Sequence, residues 1–264
     1  MSPQTPTVPL PRPHRPHESA FDIWPRHILG MISPAPDATF IYYQFYQAMP
    51  RNCLLVAPSI RLGGFSAAQV DAALESFWPV FESLLYQGAQ RITLGGVPLS
   101  AYAGRPRILE LLKEARKRTD VPVTVDFEDC IEAFRLMNAK RIATAAKWDP
   151  TLMQAVRSYL EHAGLQVDGE EGEAHTLEQV LSLRAEESVD VAVRIGIKAL
   201  EKSPDADALL LGGGGWMVLQ AVEEIERRTG RPVVSNTSAI YWGALRQFGL
   251  RCALPNAGKL MEML

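Results

Sequence analysis

The residues of this chain whose types and spacing suit chemistry fall into two glycine clusters and two polar turns. Gly95-Gly96 follows the apolar run Arg91 to Leu94, and Gly212 to Gly215 follows Ala208 to Leu211. Glycines where a strand turns into a helix let the backbone approach a ligand and aim unpaired N–H groups at it. That arrangement suits a carboxylate or a developing oxyanion, so Gly96, Gly213 and Gly214 are expected to bind substrate through main-chain donors. The plain alternative for either cluster is a tight turn, and the duplication weighs against it. A phosphate loop is not indicated, because Trp216 follows the glycines in place of Lys-Ser/Thr, and the dinucleotide pattern fails at Met217.

The first polar turn carries acid. Asp126, Glu128 and Asp129 lie where a strand ends and a helix begins, and two carboxylates held close there push one pKa upward. Asp126 and Glu128 are therefore expected to move protons. Capping and the helix dipole are the alternative explanation for Glu128 and Asp129, whereas Asp126 ends an otherwise apolar strand. The second turn, Ser235-Asn236-Thr237-Ser238, offers small donors, and Ser235, Asn236 and Thr237 are expected to orient substrate; a helix cap at Thr237 or Ser238 is the alternative. Lys147, after the strand ending at Ala145, is placed to pair with an anionic group. The stretch Ser33 to Gln44 reads as a loop over the same site, with Tyr42 shaping the pocket and Tyr42 and Tyr102 as conceivable proton carriers. Cys53 and Cys252 sit in apolar runs as small hydrophobes, while Cys130 opens a helix, where a thiol pKa can fall.

These residues need a frame, and hydrophobic patterning supplies one. Strands are expected at 27–33, 52–57, 91–94, 123–126, 141–145, 208–211 and 232–235. Helices are expected at 67–87, 106–118, 128–137, 150–162, 176–202, 218–228 and 238–248. Strict alternation implies parallel sheets covered on both faces. An internal echo strengthens this: Arg118-Thr119-Asp120-Val121-Pro122-Val123 matches Arg228-Thr229-Gly230-Arg231-Pro232-Val233, each with a glycine-ended strand upstream and a polar turn downstream. The expected fold is α/β, with two similar Rossmann-like halves, each a parallel sheet flanked by helices, and a cleft between them. Residues 1–24 form a flexible proline-rich arm, 25–138 the N-terminal half and 139–264 the C-terminal half. Ligands of such sheets bind beyond the carboxyl ends of the strands.

Composition excludes several classes. The chain has 264 residues, 47% of them apolar, and a formal net charge of only −3, which disfavours nucleic acid and anionic membranes as partners. Its three cysteines have no paired spacing, so neither disulfides nor a metal site is expected. His14 and His17 belong to the solvated arm. No apolar run approaches the ~20 residues that span a bilayer, and the N-terminus lacks a secretory layout, so a cytoplasmic protein is expected.

The segments Leu94 to Tyr102, Leu209 to Gly215, Arg231 to Ser235 and Pro255 to Leu260 resemble the arylmalonate decarboxylase and maleate isomerase branch of the aspartate/glutamate racemase superfamily. The resemblance implies an enzyme acting without cofactor on a small carboxylate, and a homo-oligomer. Members typically bring one or two cysteines to the cleft; here those positions fall on Gly96 and Gly213. Hydroxyl-bearing residues of the decarboxylases fall on Val97 and Pro98, placing Val97 beside Gly96 in the substrate-binding set, and a tyrosine falls on Trp148. The expectation is an isomerase, racemase or decarboxylase that forms an enolate-like intermediate on a small carboxylate or carbonyl compound without a catalytic thiol. A hydrolase or lyase using Asp126 and Glu128, and a non-catalytic carboxylate-binding protein, are the alternatives.

Overall fold

Apolar runs too short for helices, bounded by glycine, proline and polar turns, become the strands of two sheets. The structure, a computed structural model, describes residues 25–35, 39–60, 62–64, 66–175, 179, 182–213 and 215–264. The expected N-terminal arm and Gly214 lie outside the described residues.

The first sheet contains β1 (His27–Ile32), β2 (Cys53–Val56), β3 (Arg91–Leu94) and β4 (Val123–Val125), in the order β2-β1-β3-β4. The second contains β5 (Arg141–Ala146), β6 (Gln166–Gly172), β7 (Ala208–Gly212) and β8 (Val233–Ser235), in the order β6-β5-β7-β8. Both sheets are parallel throughout and share one strand order, as the internal echo implies. In each, the order reverses beside the first strand, and the crevice at that reversal is where parallel sheets receive ligands.

Helices cover the sheets. They are α1 (Thr39–Ala48), α2 (Ala67–Tyr86), α3 (Val97–Ala103), α4 (Arg105–Arg118), α5 (Asp126–Leu136), α6 (Pro150–Glu161), α7 (Ala185–Lys202), α8 (Leu219–Thr229), α9 (Asn236–Phe248) and α10 (Lys259–Glu262). Local chemistry explains several starts. Ser66 and Gln69 form a reciprocal capping box at α2, Asp149 accepts from Thr151 and Leu152 at α6, and Ser235 and Ser238 cap each other's backbone at α9.

Five readings of the sequence are corrected. Residues 39–48 are a helix, not loop, because the stretch buries Ile41, Gln44, Phe45 and Ala48 along one face. A short helix, α3, follows Gly96. Strand β6 was not expected at all. The helix α7 starts at Ala185, after two non-helical residues at 183 and 184, and not at 176. Finally, Asp126 is the first residue of α5, where it had been read as the end of a strand.

The larger apolar cluster draws on both sheets. It joins Phe127, Ile131 and Phe134 of α5 to Tyr241, Trp242 and Leu245 of α9, whereas a second cluster lies wholly among residues of the C-terminal sheet and its helices.

Candidate functional site

The carboxyl ends of six strands converge on one cavity of about 310 Å³. From the first sheet come Ser33, Pro34 and Ala35 after β1, Gly96, Val97 and Pro98 after β3, and Asp126 after β4. From the second come Lys147, Trp148 and Asp149 after β5, Gly212, Gly213, Gly215 and Trp216 after β7, and Asn236 and Thr237 after β8. Ile41, Leu62, Leu152, Ile240 and Tyr241 make much of the remaining wall apolar. Gly96 and Gly213, expected to face each other, share this cavity.

Both glycines are held in conformations that other residues resist. Gly96 has φ 97° and Gly213 φ 111°. A Cβ at Gly96 would fall 2.0 Å from Cγ of Pro34, so no side chain fits there without moving the loop after β1. At Gly213 it would lie 3.1 Å from Nε1 of Trp216, whose N–H donates to the Gly213 carbonyl.

The amides of these glycines are not free. The main-chain N–H of Gly96 favours the charged form of the Asp126 carboxyl, and Gly213 N–H donates to Oδ1 of Asn236 at 3.1 Å. Asp126 and Asn236 are the first residues of α5 and α9, so each half closes its glycine turn with the first side chain of the helix after its last strand. At Gly213, where an open main-chain donor is expected, a side-chain oxygen already accepts the N–H. The bond to Gly213 fixes the amide of Asn236, whose buried Nδ2 has no hydrogen-bond partner among the described residues.

Asp126 is 2% exposed. Burial first and the nearby Asp129 second, working against the donors at Phe127 and Gly96, bring its carboxyl up to about 7. Asp129 is itself buried, bonded to Arg91 at 2.6 Å and Thr124 at 3.0 Å, and desolvation raises it to about 6. The second acid of the site's immediate surroundings is therefore Asp129 and not Glu128. Glu128 points elsewhere: it forms a two-pronged pair with Arg105 at 2.8 and 3.0 Å, accepts from Tyr159 at 3.1 Å, and does not line the cavity. Because α5 starts at Asp126, residues 126, 129 and 130 share its buried face while 128 turns away.

Lys147 does line the cavity and is 5% exposed. Its Nζ has no hydrogen-bond partner among the described residues and sits 4.2 Å from the centre of a Trp216 ring. Burial alone draws its pKa down to about 7. Thr237 lines the cavity, whereas Ser235 is fully buried as the cap of α9, the role read as an alternative for its neighbours. Tyr42 is also corrected: its hydroxyl bonds the main chain of Ala57, and neighbouring Ile41 faces the cavity instead. Tyr102 does not line it either.

Sequence reasoning missed several participants. Trp216, Asp149, His175 and Tyr241 were hidden because each looks like an ordinary wall, cap or core residue until the turns are assembled. Gln44 is the least visible. From α1 it accepts N–H bonds from Val218 and Leu219 and donates to the Trp216 carbonyl, holding the turn that carries Trp216.

No cysteine reaches the cavity. Cys53 lies in β2 with its thiol pushed up to about 11 by burial, and Cys130 is fully buried in α5, where desolvation first and the acids of its own turn second raise the thiol well above its ordinary value. That overturns the reactive reading of Cys130. Among the described residues no group of three His, Cys, Asp or Glu is arranged to hold a metal ion.

The architecture has known counterparts, and a family model described as arylmalonate decarboxylase matches residues 30–261. The chain belongs to the arylmalonate decarboxylase family. It is 30% identical to the arylmalonate decarboxylase of Bordetella bronchiseptica over 237 residues, covering 89% of this chain and 96% of that one. A maleate isomerase of Pseudomonas putida is 28% identical over 142 residues, 53% of this chain and 55% of the other. Among solved structures, a liganded arylmalonate decarboxylase with one glycine replaced by cysteine and one cysteine by serine superposes with a TM-score of 0.78 at 27% identity, covering 90% of this chain and all of that one. This arylmalonate decarboxylase family member thus presents the shared two-sheet fold with a cavity whose wall contains glycine, acid, amide and amine but no thiol.

Proposed function

We propose that the protein is a cofactor-independent enzyme that forms an enolate-like intermediate on a small carboxylate or carbonyl compound, as an isomerase, racemase or decarboxylase. The observation that carries the reading is the buried Asp126 carboxyl opening onto a largely apolar cavity, poised near neutrality where a thiol is absent. A group with that affinity both donates and accepts a proton at physiological pH. Asn236 Nδ2 is the unpaired donor for a substrate oxygen, and Thr237 lies beside it. Gly96, Val97 and Gly213 form the close-approach walls, and Gly214, next in sequence, is assigned to the same binding set. Lys147 completes the set as the cavity's amine.

The hydrolase alternative needs Asp126 and Glu128 to face one substrate, and the pairing of Glu128 with Arg105 speaks against it. The non-catalytic alternative draws its support from the missing thiols. Two arms separate them: a turnover screen of malonates, maleate, amino acids and cyclic amides, and the same screen on Asp126→Asn. Asp126→Asn is expected to lower turnover at least about tenfold, a floor set below the ~10²–10⁴-fold that a positioned proton carrier typically contributes. An unchanged rate would remove Asp126 from the chemistry; a raised melting temperature with a malonate and no turnover of any candidate would favour the binding protein.

We further assign the protein to the cytoplasm as a homo-oligomer without nucleic-acid partners. Three free cysteines, the modest net charge and the oligomeric habit of small enzymes support this. Among the described residues no helix is long and apolar enough to cross a membrane.

A further inference from the structure

Two cationic side chains are buried among the described residues, Arg91 and Lys147, and the fold treats them oppositely. Arg91 faces the Asp129 carboxylate at 2.6 Å. Arg105, partly buried, is likewise paired with Glu128. Among the described residues Lys147 has no carboxylate partner: its Nζ makes no hydrogen bond and rests against the Trp216 ring. A structural lysine in an interior is normally paired, or runs its stem to the surface and keeps its head in water. An amine kept dry and unpaired in a ligand cavity spends much of its time neutral near physiological pH, and a neutral amine is a nucleophile.

Asn236 Nδ2 can steady a substrate oxygen, but among the described residues lining the cavity Lys147 is the one primary amine, the group able to form a covalent electron sink. All three cysteines lie elsewhere, and the amides of Gly96 and Gly213 already serve Asp126 and Asn236. We propose that Lys147 captures the carbonyl carbon of a small 2-oxo or 3-oxo acid as an iminium, which is the electron sink of the reaction. This rests on the enolate-type reading above and narrows its substrate class.

The step balances with groups present in the cavity. The amine lone pair forms a C–N bond to the carbonyl carbon, and one proton moves from nitrogen to the former carbonyl oxygen. Asp126, entering as the acid, supplies a second proton, so that oxygen leaves as water and the iminium remains opposite the Asp126 carboxylate. When a C–H bond on the carbon next to the iminium breaks, its proton passes to the Asp126 carboxylate, and when the C–CO2⁻ bond on that carbon of a 3-oxo acid breaks, carbon dioxide leaves; in either case the electron pair enters the iminium and gives a neutral enamine. Protonation at carbon, by Asp126 after C–H cleavage or by water after loss of carbon dioxide, regenerates the iminium, and addition of water to it then releases the product and restores the amine. The Trp216 face, which lies against the ammonium now, lies against the cationic iminium during this cycle.

The test is reductive trapping on the full-length protein with cyanoborohydride and, separately, pyruvate, acetoacetate and phenylpyruvate. The expected result is a single adduct per chain, heavier by the mass of the probe less one oxygen, mapped to the peptide containing Lys147. It should be absent from Lys147→Arg, which keeps the positive charge but cannot form an iminium, and trapping should slow below about pH 7 as the amine protonates. No adduct at Lys147 with any probe overturns the proposal, as does labelling no faster than at exposed Lys113. Trapping uses the unaltered protein, so a folding defect in the variant does not blur the result. Turnover of a malonate or maleate that depends on Asp126 but survives Lys147→Arg would end this inference alone; absence of both turnover and trapping would end the broader reading as well.

Discussion

At the scale of residues, two groups of opposite type are drawn toward neutrality by the same dry cavity, and their costs appear in opposite pH windows. The Asp126 carboxyl titrates at 3.8 when solvated and at about 7 in the fold. Below 3.8 it is neutral in both states and costs nothing. Between the two values the unfolded chain sheds a proton that the folded protein keeps, so stability falls as pH rises, and above about 7 the full penalty persists. Asn236 shows that an amide at the equivalent position accepts the same kind of glycine N–H bond. Asp126→Asn should therefore fold normally and be more stable than the parent at pH 8 by on the order of 2–4 kcal/mol, with little or no gain at pH 4. Urea denaturation at the two pH values measures this, and an equal effect at both would mean that burial is not what shifts the group. A site acid that destabilises its own fold is the expected mark of function.

At the scale of elements, what was legible in the sequence and what was not separate by the source of the stabilisation. Strands β1, β3, β5 and β7 and the capped helices declare themselves locally, through apolar runs and Ser, Asp or Pro at their starts. Strand β6 has the sequence QVDGEEG, which has scarcely any apolar pattern; it is a strand because it pairs in parallel with β5 along its length and buries Val167, while Arg157 of the preceding helix meets Glu170 and Lys198 and Lys202 of α7 meet Glu171. Helix α1 reads TFIYYQFYQA, whose aromatic content favours a strand, and tertiary contacts such as Tyr241 donating to the Ile41 carbonyl hold it helical. Among the residues that line the cavity, Gly96, Gly213, Asp126, Lys147 and Asn236 were legible because they follow strand ends. Glu128 was misread because a helix start displaced by two residues rotates which acid faces inward. The clearest element-level test is Gln44, since α8 begins at a residue with no side-chain cap of its own and borrows one from α1. Gln44→Leu keeps the volume but strands two buried N–H groups and a carbonyl. It should cost roughly 2–4 kcal/mol in urea denaturation and broaden or shift Trp216 fluorescence. A cost within error of zero would show that α8 caps itself by another route.

At the scale of the whole molecule, sequence duplication and physical independence part company. The two sheets share a strand order, which invites the division at residue 138 into two halves that fold alone. Packing argues otherwise. The helix α9 belongs by sequence to the C-terminal half, yet ten of its thirteen residues are buried, and its Tyr241, Trp242 and Leu245 join the cluster that contains Phe127, Ile131 and Phe134 of α5. Arg246 of α9 reaches Glu132 of α5 at 2.5 Å, and Gln44 ties α1 to α8. Cutting the chain at 138 would expose one side of α9, several large side chains each worth about 1.5–3 kcal/mol when buried, against a net stability on the order of 5–15 kcal/mol for a whole domain. A fragment of residues 139–264 is therefore expected to lack near-UV circular dichroism and to show no cooperative urea transition, while the full chain unfolds in one transition by circular dichroism and tryptophan fluorescence alike. A cooperatively folded fragment would mean that the second cluster, around Ile195, Leu209 and Ile225, suffices by itself. The cavity makes the same demand, because Asp126 and Lys147 come from different sheets, and a site that needs both gains nothing from halves that separate.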